Sequence, residues 1–219
     1  MMEWDWHYTG DILPDLLDGL RVTVTATLLG YVIAVLLGLV WTLLRRTPSA
    51  VVNQTVRWVT EFVRSTPLLV QLFFLYYVLP TWGITLGPLT AGVIGLGLHY
   101  STYTAEVYRG GIDDVPRGQW EAAVALNLPR SRTWLDVILP QAIRRVVPTL
   151  GNYLIAMFKD SPLLLGINVA ELLNTAYTTG THTLRFLEPI TLVGVLFVLV
   201  SVVSSVLVRR LERRSHATD

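Results

Sequence analysis

Cysteine is absent from this 219-residue chain, so it can hold neither a disulfide nor a thiolate metal site. Lysine is nearly absent too: of 17 basic residues, 16 are arginine and the remaining one is Lys159. A phosphate-cradling loop requires Gly-Lys followed by Ser or Thr. Lys159 stands between Phe158 and Asp160, so that loop is missing and any ATP that drives this protein is expected to bind a partner. Charge of either sign is scarce. Charged residues make up 15% of the chain, against about 25% in a soluble domain, while 52% is hydrophobic and the mean hydropathy is +0.51. A net charge of +1 gives no reason to expect nucleic acid. The four histidines, His7, His99, His182 and His216, show no metal-ligand spacing, and no metal site is expected. The first twenty residues hold Glu3, Asp5, Asp11, Asp15 and Asp18 with no base before Arg21, unlike the positive opening of a signal peptide.

What the chain does contain is long uncharged runs. Val22 to Leu44 is 23 residues without charge, more than the ~20 needed to cross ~30 Å of hydrocarbon. Ser65 to Ala105 runs 41 residues without charge, too long for one span, and is broken by Pro80 and Gly83 and by Gly87 and Pro88. Val146 to Phe158 is apolar for only 13 residues, about 20 Å of helix, too short to cross alone. Pro189 to Val208 is the last run. These patterns predict an all-α polytopic membrane protein forming one transmembrane domain over 1–219, without an evident internal repeat. Five spans are expected, near 20–44, 62–79, 89–108, 144–165 and 189–208, the fourth short and interrupted, with a cytoplasmic loop over 109–143. Arginine sets the orientation. Four bases lie in 45–64, six in 109–145 and four after 208, against only Arg21 and Arg185 on the other side. Basic loops stay cytoplasmic, so the N-terminus is expected outside and the C-terminus inside a cell membrane. Trp4, Trp6, Trp41, Trp58 and Trp82 fall near the expected interfaces, as an aromatic belt in contact with lipid would.

The long cytoplasmic loop carries Glu121-Ala122-Ala123-Val124-Ala125-Leu126-Asn127, followed by Ile138-Leu139-Pro140. Asp114 and Pro116 mark a helix start ahead of it, and Asn127 is the commonest substitute for glycine at a helix end with positive φ. This stretch resembles the EAA signature of ABC importer permeases, with Asn127 where that family has glycine. Arg64 to Tyr77, Ala105 to Gly111, Leu139 to Ile143 and Lys159 to Leu163 resemble the polar amino-acid branch of the same family. The wording of His99 to Arg109 and Ala156 to Leu163 is most similar to ectoine and hydroxyectoine permease subunits. The resemblance implies the type I importer permease fold and no catalytic residue in this chain. It implies a second permease, identical or homologous, two ATPase subunits that bind ATP and Mg, and an extracytoplasmic solute-binding protein. It assigns ATPase coupling to Glu121, Ala122, Ala123, Asn127 and Pro129, and ATP-driven alternating access as the mechanism.

Candidates for the substrate pathway are His99, Tyr100, Tyr103, Tyr153, Lys159 and Asp160. Ionisable groups at membrane depth are costly and mark functional positions, and a short Pro-interrupted segment points the same way. Adjacent helical residues do not face each other, so Lys159 and Asp160 each need a separate partner; structural pairing, gating and ligand contact all fit. Tyr100 and Tyr103, three apart, share a helix face, and His99 lies four before Tyr103; they serve either as interhelical hydrogen-bonding groups or as an aromatic wall for a cation. Glu61, Arg64, Glu106 and Arg109 fall at cytoplasmic helix ends, where charges reach the headgroups. The expected cargo is a small zwitterion, ectoine or hydroxyectoine first and another polar amino acid next. The rival reading is an ion-coupled secondary transporter or channel subunit, which would need a midplane ion site and, usually, repeated halves.

Overall fold

The protein is described by a computed structural model over residues 4–216; residues 1–3 and 217–219, the outermost parts of the two tails whose sidedness was expected from the arginines, lie outside the described residues. The described chain is helical throughout and holds no strand. In order it forms α1 (Trp6–Arg45), α2 (Ala50–Ser65), α3 (Leu68–Phe73), α4 (Pro88–Asp113), α5 (Arg117–Ala125), the single turn α6 (Arg130–Arg132), α7 (Leu139–Asp160), α8 (Leu172–Thr183) and α9 (Leu187–His216). The all-helical class agrees with the sequence pattern. By length and composition α1 and α9 can each cross a membrane, and up to four spans result if the bent pairs α2 with α3 and α7 with α8 each count as one. Helix α4, at 26 residues or about 39 Å, is also long enough.

The boundaries differ from expectation in two places. The second apolar segment does not run straight from Phe62. Thr66 is extended (φ −94°, ψ 132°) because the ring of Pro67 disfavours a helical residue before it, and the chain turns by 102° there. Phe62 to Ser65 therefore belongs to the amphipathic α2, whose buried face is Val56, Thr60 and Val63. The continuation of α3 winds through a wide turn over Phe74–Val78 and a tight one over Leu79–Trp82. The second difference is α8, which the sequence pattern did not single out. Helix α7 stops at Asp160 before Pro162, a 3₁₀ stretch over Ser161–Ile167 follows, and α8 sets off at 46°. Glu171 caps it by accepting from the N–H groups of Leu173 (2.9 Å) and Asn174 (2.7 Å), while Thr23 of α1 accepts from the N–H of Leu172 (3.0 Å). Satisfying those donors matters where no water can do so.

The centre of the fold is the parallel pairing of α1 with α4. Small residues recur every fourth position along α1, at Ala26, Gly30, Ala34, Gly38 and Thr42, and all are buried. This lets two backbones approach closely, the main packing device where lipid removes the hydrophobic driving force between helices. Polar side chains then reach backbone directly: Thr104 Oγ1 donates to the Ala34 carbonyl (2.7 Å), Thr42 Oγ1 to the Ala105 carbonyl (3.1 Å), and Tyr108 to the Val35 carbonyl (3.2 Å). Trp41, expected in an interfacial belt, is half-buried and donates to Ser101 Oγ at 3.0 Å. A Cβ on Gly38 would lie 2.0 Å from Thr104 Oγ1 and 2.9 Å from the Ser101 carbonyl oxygen. Gly38→Ala should therefore destabilise by about 1–3 kcal/mol as an overpacked core does. Gly110→Ala, where nothing lies within 4 Å, should be neutral or stabilising. Thermal midpoints of the purified variants in detergent check the contrast.

At the opposite end from the arginine-rich loops, the start of α1 is tied to the α8–α9 corner. Arg185 pairs with Asp5 (3.6 Å) and with the buried Glu188, and Glu188 Oε1 accepts from the Asp5 N–H at 3.1 Å. The N–H of Tyr8 donating to the Asp5 carboxylate, with the N–H of His7 and the charge of Arg185 adding to it, holds that carboxyl below its ordinary range.

Candidate functional site

Two clusters stand out, one at each end of the lower half of α4. The first, at the arginine-rich end, is built on α5. This helix starts after Pro116 and stops at Asn127, which takes φ 53°. The N–H of Leu128 reaches the Ala123 carbonyl (3.0 Å) and the N–H of Asn127 the Val124 carbonyl (2.9 Å), the paired bonds of a Schellman stop. Asparagine thus adopts here the turn that glycine makes in the signature. Glu121 and Ala122 are exposed, Ala123 is buried, and Val124 and Leu126 are 78% and 73% exposed, so the outward face of α5 is apolar with one acid on it. Pro129, exposed, opens the turn α6, which leads through a wide turn over Thr133–Ile138 into α7.

The inward side of α5 is braced. Trp120 meets Trp134 edge to face at 5.2 Å, over a small core of Val115, Ile138 and Ala142. The Arg46 guanidinium lies 5.8 Å above the Trp134 ring and pairs with Asp113 at 2.9 Å. Asp113 pairs with Arg109 (3.1 Å), Arg109 with Glu106 (2.6 Å), and Glu106 with Arg45 (2.6 Å). Glu106 and Arg109, expected as independent helix-end anchors, are instead links in one chain of contacts from α5 to the ends of α1 and α4. Glu61 and Arg64 pair with each other at 2.5 Å. The two tryptophans and Arg46 carry no signature in sequence; only the fold brings them together.

The second cluster sits at the middle of α4. His99, Tyr100 and Tyr103 of α4 meet Tyr153 of α7, with ring centroids 5.3 Å (His99–Tyr103), 5.9 Å (Tyr100–Tyr103), 6.2 Å (Tyr100–Tyr153) and 5.7 Å (Tyr103–Tyr153) apart. The Tyr100 hydroxyl donates to Asp160 Oδ2 at 2.7 Å. Tyr100 is buried, while His99, Tyr103, Tyr153 and Asp160 are each half-buried. Five of the six pathway candidates are thus neighbours. Lys159 is not among them: it is exposed on another side of α7, toward α9. Sequence reasoning missed Gln71. Its Nε2 donates to the carbonyls of Val63 (2.6 Å) and Thr66 (3.0 Å) freed at the 102° bend, and it lies 3.1 Å from His99 Nδ1. One amide therefore ties the bend to the aromatic cluster. A carboxylate beside three tyrosine rings can hold a cationic group through charge and ring quadrupole together. Among the described residues no group of three or more His, Cys, Asp or Glu is placed to hold a metal ion.

Residues 26–216 match the family described as binding-protein-dependent transport system inner membrane component. A probable amino-acid ABC transporter permease protein, y4tG of Sinorhizobium fredii, is 48% identical over 198 residues, covering 90% of this chain and 86% of the relative. The glutamine transport system permease protein GlnP of Escherichia coli is 34% identical over 215 residues, covering 97% and 98%. The crystal structure of an amino acid ABC transporter with histidines superposes with a TM-score of 0.93 at 34% identity, covering 97% of this chain and 100% of that one. The chain belongs to the binding-protein-dependent transport system inner membrane component family. It is a membrane permease subunit of an ABC importer, and ATP hydrolysis belongs to a separate subunit.

Proposed function

We propose that this permease carries a polar amino acid into the cell, and that α4 couples the ATPase to the cargo. One observation carries this reading: α4 bears His99, Tyr100 and Tyr103 of the aromatic cluster at its middle, with Tyr100 bonded to Asp160 of α7, and at its cytoplasmic end the charge chain that leads through Arg46 and Trp134 to α5. A push on α5 is then passed through Arg46 and Arg45 to the close-packed pair of α1 and α4 and shifts that pair relative to α7. The exposed face of α5, with Glu121, Ala122, Val124 and Leu126, docks on an ATPase subunit; Asn127 fixes where the helix ends and Pro129 where the next begins. Two such ATPase subunits bind ATP and Mg. A second permease, identical or homologous, completes the path, and a solute-binding protein delivers the cargo from outside. No bond in the cargo changes.

The cargo's ammonium meets Asp160 and the rings of Tyr100, Tyr103 and Tyr153, with His99 beside them. The relatives named for amino acids and for glutamine favour a common polar amino acid, and the local wording of His99 to Arg109 keeps ectoine on the test panel. Reconstitution of the complete importer in liposomes, with labelled glutamine, arginine, histidine and ectoine, decides. Uptake that needs ATP and the binding protein is expected for at least one of the three amino acids; uptake of ectoine alone would narrow the cargo to the cyclic zwitterion, and uptake of none would defeat this reading.

The fourteen arginines of 45–64, 109–145 and the tail after 208 support a cytoplasmic placement of those segments. With no native thiol, a single cysteine at Thr9 should react with an impermeant maleimide on intact cells and one at Gly118 should not. The reverse pattern would invert the topology.

A further inference from the structure

Lys159 raises a problem that the tyrosine cluster does not solve. It lies in the turn of α7 beside Phe158, whose ring meets that of Phe197 at 5.0 Å with a 49° tilt, and so at the level of the middle of the apolar run of α9. Among the described residues no carboxylate pairs with it. An ammonium in hydrocarbon at that depth costs about 2.5–3.5 kcal/mol even on the mildest scale. The side chain is too short to reach the headgroups from there by snorkelling. The face it points from is therefore wet or covered, not greasy.

That face has a shape. A groove of about 430 Å³ runs between α7 and α9, lined by Lys159, Phe197, Val198, Ser201, Val202, Ser205 and Arg209. Val198, Ser201, Ser205 and Arg209 recur at three- and four-residue steps, which places them on one side of α9. Among the described residues two bases and two hydroxyls line it, and no acid does. Ser205 donates to the Ser201 carbonyl (2.7 Å), so among the described residues the donors left unengaged are the Lys159 ammonium, the Ser201 hydroxyl and, toward the cytoplasmic end, Arg209. A hydroxyl bonded back to its own helix, as Ser205 is, can sit against lipid, whereas one beside an ammonium on a watered path can also bind what passes. The residue next to Lys159 points elsewhere: Asp160 is taken by Tyr100 on α4.

We propose that the α7–α9 groove is a hydrated anion site on the transport path, in which Lys159 and Ser201 take the carboxylate of the passing solute and Arg209 marks its cytoplasmic exit. The proposal rests on the reading of this chain as the path-forming permease of an amino-acid importer and makes the groove a second station on the path, since an amino acid carries both charges on one carbon and cannot reach both faces of α7 at once. The first test needs no knowledge of the cargo. Cysteine is placed at Ser205 in the assembled, reconstituted importer and modified with a small anionic and a small cationic methanethiosulfonate, each rate normalised to a free thiol and read on this chain by mass. The anionic reagent should win by at least about tenfold, as expected of a cleft lined by one sign of charge. The preference should fall in Lys159→Met, vanish when Arg209→Met is added, and survive in Lys159→Arg. No modification at all, as under lipid or an overlying protein, overturns the proposal; so does a cation preference, or an anion preference indifferent to Lys159→Met. The second measurement is uptake of whichever amino acid the wild-type importer carries. Lys159→Met should raise its KM about tenfold while ATPase stimulation by the binding protein persists, and an unchanged KM overturns the carboxylate role. Wild-type uptake with a silent cysteine at position 205 would sink the groove alone, and absent wild-type uptake would instead sink the permease reading.

Discussion

Glu121→Lys should abolish ATP-driven uptake while leaving the permease inserted and thermally intact. Glu121 is exposed on the outward face of α5 and makes no described contact within the chain, so reversing its charge touches no internal packing. Across an interface the effect is large, because a like-charge juxtaposition where an opposite pair was built costs several kcal/mol. Two or more orders of magnitude in coupled transport are therefore expected, with ATPase stimulation by the binding protein lost in parallel. The structure also sharpens the choice of a bulky probe. Ala123 is buried, so a large side chain there would lever α5 off Trp120 and Trp134 and confuse docking with misfolding. Ala122 is exposed, and Ala122→Trp obstructs only the outward face. If both Glu121→Lys and Ala122→Trp transport normally in proteoliposomes, the ATPase does not dock here.

How much of this could be read in the sequence depends on whether the signal was periodic, local or long-range. Composition and uncharged runs suffice for the all-helical membrane class, because no other backbone arrangement with this pattern satisfies its own hydrogen bonds in lipid. The stop of α5 was also local: a short signature with asparagine at its end says where the helix terminates, and Asn127 takes the positive φ that position needs. Phe62 to Ser65, the last four residues of α2, read as the start of the next span because Phe62 to Leu79 is apolar enough to hide the bend at Thr66-Pro67, although the proline itself is visible. The every-fourth small residues of α1 were visible as well, but their meaning depends on a partner helix 60 to 70 residues away. Gln71 with His99, Arg46 with Trp134, and Thr23 with Leu172 are pairs of ordinary residues made significant only by the tertiary fold. Lys159 and Asp160 were singled out together for their depth, and the helical step of 100° then sent them to different faces.

Asp160→Asn should raise the KM for the transported amino acid by at least about tenfold with little change in how the permease folds. The carboxylate accepts one described hydrogen bond, from Tyr100 at 2.7 Å, leaving lone pairs for an incoming ammonium within reach of three tyrosine rings. Asparagine keeps the size and the bond from Tyr100 but removes the charge, so the loss falls on the cation of the cargo. Tyr100→Phe makes the complementary change, keeping the ring and removing the hydroxyl that holds Asp160 in place; its KM effect should be smaller, about threefold, and should shrink further when Asp160→Asn is already present, since coupled residues are not additive. The competing account is that Tyr100–Asp160 is only an interhelical tie. Such ties average about 0.6 kcal/mol in membrane proteins and reach about 1.7. On that account both variants lower the thermal midpoint by similar amounts and leave KM alone. The two accounts thus separate on which quantity moves: a KM that rises with an unmoved midpoint places Asp160 in contact with cargo, and a midpoint that falls with an unmoved KM makes the cluster a seam between α4 and α7.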